Sequence, residues 1–457
     1  MKADFGWRAI LRLGLVQASL GAVVVLTTST LNRVMVVELA QPALLPGCLV
    51  AMHYLVQVLR PRMGHGSDMG RRRTPWIVGG MALLAAGGVA AAGATALMGQ
   101  HEVAGIVASV IAFLMIGIGV SASGTSLLVL LAQRVAASQR ASAATAVWLM
   151  MIAGFAVTAG VAGSLLDPYS PQRLVAIAAG VSVIALVVTC IAMFRLEGDS
   201  RGVPAVQAAA RSDAPAQTSG HLAAGGVRFR EALAQVWAEP AARRFTLFVF
   251  ISMLAYSAQD LILEPFAGSA LGFTPGESTR LSGTQHGGVL LGMLAAAFAG
   301  RGRGGRRFGS LQAWQIGGCI VSAVALLGLV AAGMVGPQWP FKANVFLLGA
   351  ANGAFSIAAI AAMMKLASEG RSAREGVRMG LWGAAQAVAF GLGGIVGTAA
   401  SDIARAFIGT PGLAYAAVFA GEALLFLVAA GLAAKVGRAP VHPSDSLRAG
   451  VVGLEAR

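Results

Sequence analysis

Charge is scarce in this sequence. Asp, Glu, Lys and Arg make up 12% of its 457 residues, against about 25% in soluble globular chains. With 57% of residues hydrophobic, that shortage excludes an ordinary water-soluble domain. Cysteine is almost absent: Cys48, Cys190 and Cys319 lie in apolar runs, are odd in number and lack metal-ligand spacing, so they read as packing residues. No Asp-Asp pair or Asp-x-x-x-Asp cluster occurs, which leaves no metal–diphosphate motif for prenyl transfer. No Walker loop occurs either, which argues against an ATP-driven pump. Acids number 19 against 34 Lys and Arg, for a net charge of +15. Such a balance could point to nucleic acid, but its placement along the chain argues for membrane topology and against that partner.

Long apolar runs recur throughout, so the sequence predicts an all-α polytopic membrane protein. Twelve spans are expected, near 11–31, 43–62, 75–98, 103–131, 143–166, 173–195, 244–264, 279–300, 310–334, 342–364, 377–400 and 412–434. The N-terminal run, preceded by Lys2, Arg8 and Arg12, is too long for a signal-peptide core and reads as a retained first helix. With the N-terminus placed in the cytoplasm, only Arg33, Arg173, Arg280, Lys342 and Arg405 of the 34 basic residues fall on the opposite side. This positive-inside pattern puts both termini in the cytoplasm. Sixty glycines suit close helix packing in lipid, as in Gly393-x-x-x-Gly397.

Residues 1–195 and 244–435 each hold six spans. Between them, the first part of 196–243 is small, polar and Pro-containing, a flexible linker dispensable for folding. Phe229, Leu233, Val236 and Trp237 then follow at helical spacing, either as a short surface helix or as an extension of span seven. Residues 436–457 form a cytoplasmic tail. The halves look related: LNRVMVVEL ends span one and SAQDLILEP ends span seven, which sets Glu38 opposite Glu264 and Arg33 opposite Gln259. Arginine-rich loops follow spans two and eight, and Arg140 and Arg371 follow spans four and ten. A duplicated six-helix unit places a binding site near the midplane, between the halves.

Ionisable residues inside a membrane are costly and mark function by default. Asp260 and Glu264 share a helical face, four residues apart, where like charges repel. Pro265 predicts that span seven ends at Glu264, which would sit at one membrane face with Asp260 one turn inside. The plain alternative is that headgroup water solvates both acids. Arg33 is expected to pair with Asp260, or failing that Glu264, and to close one side of the bundle. Glu38 competes, at a five-residue spacing awkward for an α-helix. Gln17, Gly21, Thr28 and Asn32 are expected on one face of span one, lining a cavity or bonding a neighbouring helix. Tyr256, Gln259, His53 and His286 join them as candidate ligand-binding residues, since a neutral imidazole can coordinate a metal centre, chlorin magnesium included. Asn352, Gln315, Gln386 and Glu422 are the other polar residues within spans.

The loop Gly64-His-Gly-Ser-Asp68-Met-Gly70-Arg71-Arg72-Arg73 resembles the loop motif of the major facilitator superfamily. Met69 replaces its basic residue, and Gly70 comes one position early. A narrower resemblance spans nearly the whole chain. RLGLVQASLGAVVVLTTSTLNRVMVVEL (12–39), Arg73-Thr-Pro-Trp-Ile77, LAYSAQDLILEPFAG (254–268) and GGVLLGM (287–293) resemble the PucC/LhaA family of that superfamily. His53-Tyr54 and the TTSTLNRVMVVELA form are similar to its branch labelled as a bacteriochlorophyll synthase chain. The resemblance implies a twelve-helix bundle of two six-helix halves in the inner, intracytoplasmic membrane of a phototrophic bacterium. It implies no catalysis. The implied ligand is bacteriochlorophyll or a late precursor, and the implied partners are light-harvesting polypeptides and bacteriochlorophyll synthase. Two alternatives stay open: a proton-coupled transporter of another small amphipathic solute, and an assembly factor that grips antenna polypeptides without binding pigment.

Overall fold

The computed structural model describes residues 5–56, 72–136, 139–197, 229–301, 309–369 and 375–436. Gly64, Asp68, Gly70 and Arg71 of the loop motif, the linker 198–228 and the tail beyond Val436 lie outside them. Arg72 lies inside them and is exposed.

Among the described residues every long element is a helix. The first half comprises α1 (Trp7–Glu38), α2 (Leu44–Val56), α3 (Thr74–Met98), α4 (Glu102–Arg134), α5 (Arg140–Leu166) and α6 (Pro171–Met193). A short α7 (Phe229–Ala238) precedes the second half: α8 (Pro240–Leu271), α9 (Pro275–Arg301), α10 (Leu311–Val335), α11 (Phe341–Glu369), α12 (Glu375–Phe407) and α13 (Pro411–Val436). Ten of these helices are long and apolar enough to cross a membrane. The other two positions are α2, described for 13 residues, and α9, which has the length but carries Ser278, Thr279, Ser282, Gln285 and His286. Several helices outrun the hydrophobic windows expected for them, since α-geometry continues where the chain leaves hydrocarbon.

Proline starts α6, α8, α9 and α13, where its missing N–H would have no intrahelical partner and its fixed φ suits the first turn. Pro240 also settles the status of α7. The chain breaks at Glu239, so α7 is a separate helix, with Val236 buried in the second half and Trp237 exposed. One hydrophobic core is built from α1–α6, with Leu261 of α8 inserted into it, and a second from α7–α13. Glycines bring the helices close. A Cβ at Gly393 would lie 2.6 Å from the Leu254 carbonyl, and one at Gly397 2.8 Å from that of Ala258, so this small-residue pair seats α12 on α8.

The expected stop at Glu264 does not occur. The helix continues through Pro265 to Leu271 and ends on Gly272, at a left-handed φ of 72°, the conformation glycine adopts freely. Pro265 cannot donate to the Leu261 carbonyl four residues back. The Asn32 side chain of α1 takes that role, its Nδ2 donating to the Leu261 oxygen at 2.6 Å. A neighbouring helix thus satisfies the carbonyl that the proline leaves free, the condition under which proline persists within a membrane helix. Glu264 is therefore 2% exposed, two turns from the helix end.

Two π-helical turns, Leu26–Thr30 and Val34–Glu38, interrupt α1. Each widens the helix and shifts the register of the residues beyond it. Gln17 and Gly21 face α5, with Gln17 Nε2 3.2 Å from Met151 Sδ. Thr28 bonds its own Val24 carbonyl at 3.1 Å, and Asn32 faces α8. The single polar face expected along span one is thereby divided between two neighbours.

Replacing Asn32 by Leu is expected to leave the Leu261 carbonyl unpaired in the bundle and to lower stability by about 1–3 kcal/mol. Adding Pro265→Ala restores a donor within α8 and should recover much of that loss. Thermal unfolding in detergent of both variants checks this, and an Asn32→Leu loss that Pro265→Ala does not reduce would refute it.

Candidate functional site

The polar contacts that join the halves gather at the end of the bundle where α1 finishes. Arg33, 2% exposed, sits at their centre. It pairs with Glu38, donates to the Phe273 carbonyl at 2.7 Å and reaches Ser278 Oγ at 3.4 Å. The expected pairing with Asp260 is not formed, nor is one with Glu264. The reason is the second π turn. A π-helix closes its hydrogen bonds over five residues, so the i, i+5 spacing that an α-helix disfavours sets Glu38 beside Arg33. The Phe273 carbonyl just beyond Gly272 supplies a partial negative charge as well, the usual attraction of a cation to a helix C-terminus. Half-buried Tyr169 lies near this pair; burial, then the Glu38 carboxylate, pushes its phenol upward, and Arg33 opposes the shift.

The two acids of α8 have neutral partners. Glu264 accepts from Ser29 Oγ of α1. Asp260 accepts from Gln285 Nε2 of α9 at 3.0 Å. Thr30 and Thr279 hydroxyls meet at 3.1 Å between α1 and α9. Glu264 thus lies level with Ser29 of α1. Tyr256, Asp260 and Glu264 form a stripe at i, i+4, i+8 on α8, with Tyr256 and Asp260 half-buried. Gln259 points elsewhere: it is fully buried, on the α8 face of Phe266, and neither amide atom has a partner.

Two carboxylates that sequence reading passed over fasten the halves symmetrically. Asp402 of α12 accepts from the backbone N–H groups of Ala43 and Leu44 at 2.9 and 2.8 Å, capping α2. Asp167, just after α5, accepts from Gly276 N at 3.0 Å and Thr274 Oγ1 at 2.8 Å, capping α9. Each acid caps a helix of the opposite half, where unsatisfied N–H groups and the helix dipole favour a negative charge. The helices correspond under the repeat, α2 with α9 and α5 with α12. Asp402 lies near the end of α12 and Asp167 directly follows α5, and only the folded bundle shows which N-terminus each meets.

Deeper in the seam the lining becomes aromatic. The Tyr54 ring of α2 lies 5.5 Å from that of Phe390 of α12, tilted at 45°, and Phe390 lies 5.8 Å from Tyr256. Phe155 of α5 meets the His286 ring edge-on at 5.0 Å. His53 is 3% exposed, and its neighbour Tyr54 takes the position facing the other half. The elements therefore bring Tyr256, Asp260 and His286 to one seam, while Gln259 shares the α8 face of Phe266 within the second half. Of the remaining polar residues, Asn352 is held by Ser322 Oγ at 2.8 Å, Gln315 by the Ala358 carbonyl at 3.3 Å, and Glu422 is buried with neither oxygen partnered.

The profile of the family described as "PUCC protein" matches residues 30–440. The chain belongs to the PUCC protein family. It is 51% identical over 432 residues to the "Bacteriochlorophyll synthase 44.5 kDa chain" of Rhodobacter capsulatus, covering 94% of this chain and 96% of that one. It is 31% identical to "Protein PucC" of Rhodobacter capsulatus, covering 92% and 90%. Among solved structures, the nucleoside transporter NupG matches with a TM-score of 0.63 at 16% identity, over 94% of this chain and 99% of that one. The peptide transporter POT in complex with sulfate gives 0.65 at 14%, over 95% and 97%. These likenesses show the fold, the two-half major facilitator bundle. Membership of the PUCC family accords with the LAYSAQDLILEPFAG and LNRVMVVEL segments, which in the structure build the two sides of the α1–α8 seam.

A charge-swap cycle on Arg33 and Glu38 tests the pairing. Arg33→Glu and Glu38→Arg should each destabilise the protein by roughly 2–3 kcal/mol, below the 3–5 kcal/mol of a fully buried pair, because the Glu38 side chain is 33% exposed. The double swap should recover part of the loss in detergent melting. The pair Arg33→Asp with Asp260→Arg should show no such recovery.

Proposed function

We propose that this PUCC-family protein binds bacteriochlorophyll, or a late precursor of it, and hands it on during assembly of light-harvesting complexes. The observation that carries the reading is 51% identity, over nearly the full length of both chains, to a relative named for bacteriochlorophyll synthesis. A ligand between the halves would meet Tyr54, Phe155, Tyr256 and Phe390 as aromatic walls, with Asp260 and His286 as polar groups among them. Large planar tetrapyrroles suit apolar walls with a few placed polar groups.

Despite the relative's name, the proposed role is handling rather than synthesis. The sequence carries no Asp-rich motif with which to bind a prenyl diphosphate through metal. Light-harvesting polypeptides and bacteriochlorophyll synthase are the partners this role implies. The proposed setting is the intracytoplasmic membrane of a phototrophic bacterium with both termini in the cytoplasm, supported by the arginine distribution.

A second reading, proton-coupled movement of a different amphipathic solute, is favoured by Asp260, Glu264 and Glu422. Asp260 and Glu422 lie in the bundle with no ion pair among the described residues, and Glu264 is hydrogen-bonded to a neutral serine.

Purification of the full chain from a phototrophic host, followed by its absorption spectrum, tests the main reading. Bacteriochlorophyll bands that stay with the protein through size-exclusion are expected. A colourless protein that retains antenna polypeptides points instead to an assembly factor, and one that retains neither points to the transporter. For topology, a reporter active only in the cytoplasm should be active when fused after Arg457; activity only in the periplasm would overturn the orientation.

A further inference from the structure

Building on the pigment reading, we infer that His286 is the axial ligand through which this protein holds the central magnesium of a chlorin. His286 Nδ1 lies 2.9 Å from the Ser282 carbonyl oxygen one turn back on α9. A carbonyl only accepts, so Nδ1 carries the ring hydrogen and donates it. The Ser282 hydroxyl is 3.5 Å from the same nitrogen, at the far limit of hydrogen bonding, and leaves that assignment in place. In a neutral imidazole the other nitrogen, Nε2, then presents its lone pair. Histidines that ligate metals almost always anchor their second nitrogen on a carbonyl or carboxylate in this way, which fixes both tautomer and ring orientation. No hydrogen-bond partner for Nε2 occurs among the described residues, and the side chain is half-buried rather than enclosed.

The surroundings are apolar. Phe155 of the other half stands edge-on to the imidazole at 5.0 Å and 79°. Around this contact, half-buried Met151, Leu290 and Ile357 pack on buried Ile152, Val289 and Met293, an apolar surface shared by α5, α9 and α11. Among the described residues no group of three His, Cys, Asp or Glu side chains could hold a free metal ion. One imidazole beside an apolar surface matches a magnesium whose other four ligands come from the chlorin itself. His53, on the corresponding helix α2, is more deeply buried, at 3% exposure. The proposal therefore gives the two histidines different roles.

The test uses the full-length protein in detergent, titrated with bacteriochlorophyllide and with its magnesium-free counterpart, bacteriopheophorbide. Fluorescence quenching gives each Kd, and resonance Raman reports the magnesium coordination number. The wild type should bind the magnesium pigment about tenfold more tightly than the free base, with a five-coordinate signature. His286→Phe should erase that preference and leave free-base binding unchanged, which also shows that the variant is folded. His286→Gln, with a carbonyl able to ligate, should restore part of it, and His53→Phe should leave it intact. A preference that survives in His286→Phe, or equal binding of both pigments by the wild type, overturns the assignment and leaves pigment handling standing. If the wild type binds neither pigment, the proposed function falls, and the ligand with it.

Discussion

The bundle's central seam depends on one hydrogen bond, from the Asn32 amide to the Leu261 carbonyl. Without it α8 would carry an unsatisfied carbonyl where the lipid offers no water, a cost of about 1–3 kcal/mol. With it, α8 continues past Pro265 and carries Glu264 and Asp260 within the protein rather than at its border. The same bond fixes α1 against α8 at the level where Ser29 meets Glu264 and Thr30 meets Thr279. A proline that reads as a terminator thus becomes the reason two helices of different halves must touch.

The two π turns of α1 complement this contact. An unbroken α-helix would carry Gln17, Gly21, Thr28 and Asn32 along one stripe. The added residues instead let the first part of α1 pack on α5 while the last part turns polar groups toward α8 and α9. They also solve the problem posed by Arg33. A buried guanidinium needs a counter-charge and further acceptors, and the π turn provides Glu38 while the end of α8 provides the Phe273 carbonyl. Asp260 and Glu264 are left with neutral hydrogen-bond partners, Gln285 and Ser29, and form no ion pair with the arginine that the sequence suggests for them. Beyond the seam, Asp402 and Asp167 cap α2 and α9 across the halves, so the end of the bundle where α1 finishes is held by related contacts on both sides of the pseudo-symmetry axis.

Much of this was legible beforehand, for reasons that can be named. Hydrophobic runs and arginine loops mark membrane helices because lipid demands apolar length, so the two sets of six spans stand out. Asn32, Arg33, Glu38, Tyr256, Asp260 and Glu264 stand out because polar groups are rare in such runs, and all six lie at or beside the α1–α8 seam. Their pairing was not legible. It turns on π turns, which carry no composition signal, and on a side chain that stands in for a backbone donor lost 233 residues away along the chain. Asp402 and Asp167 escaped notice because an acid near a helix end looks solvated until the opposing N-terminus is placed against it. His286 was visible as a lone imidazole, but only the Ser282 carbonyl shows which nitrogen it offers.

The account's central claim is that α1, α8 and α9 meet closely at the level of Glu264. The most direct measurement is a disulfide between Thr30→Cys and Thr279→Cys, whose native hydroxyls lie 3.1 Å apart, in a background lacking Cys48, Cys190 and Cys319 and with a protease site inserted in the 198–228 linker. Side chains at such a separation lie within reach of a disulfide. After mild oxidation in membranes and cleavage of the linker, the account predicts that the two halves migrate together on a non-reducing gel and separate on reduction. Halves that separate without reductant, in a protein that is folded and membrane-inserted, would contradict it.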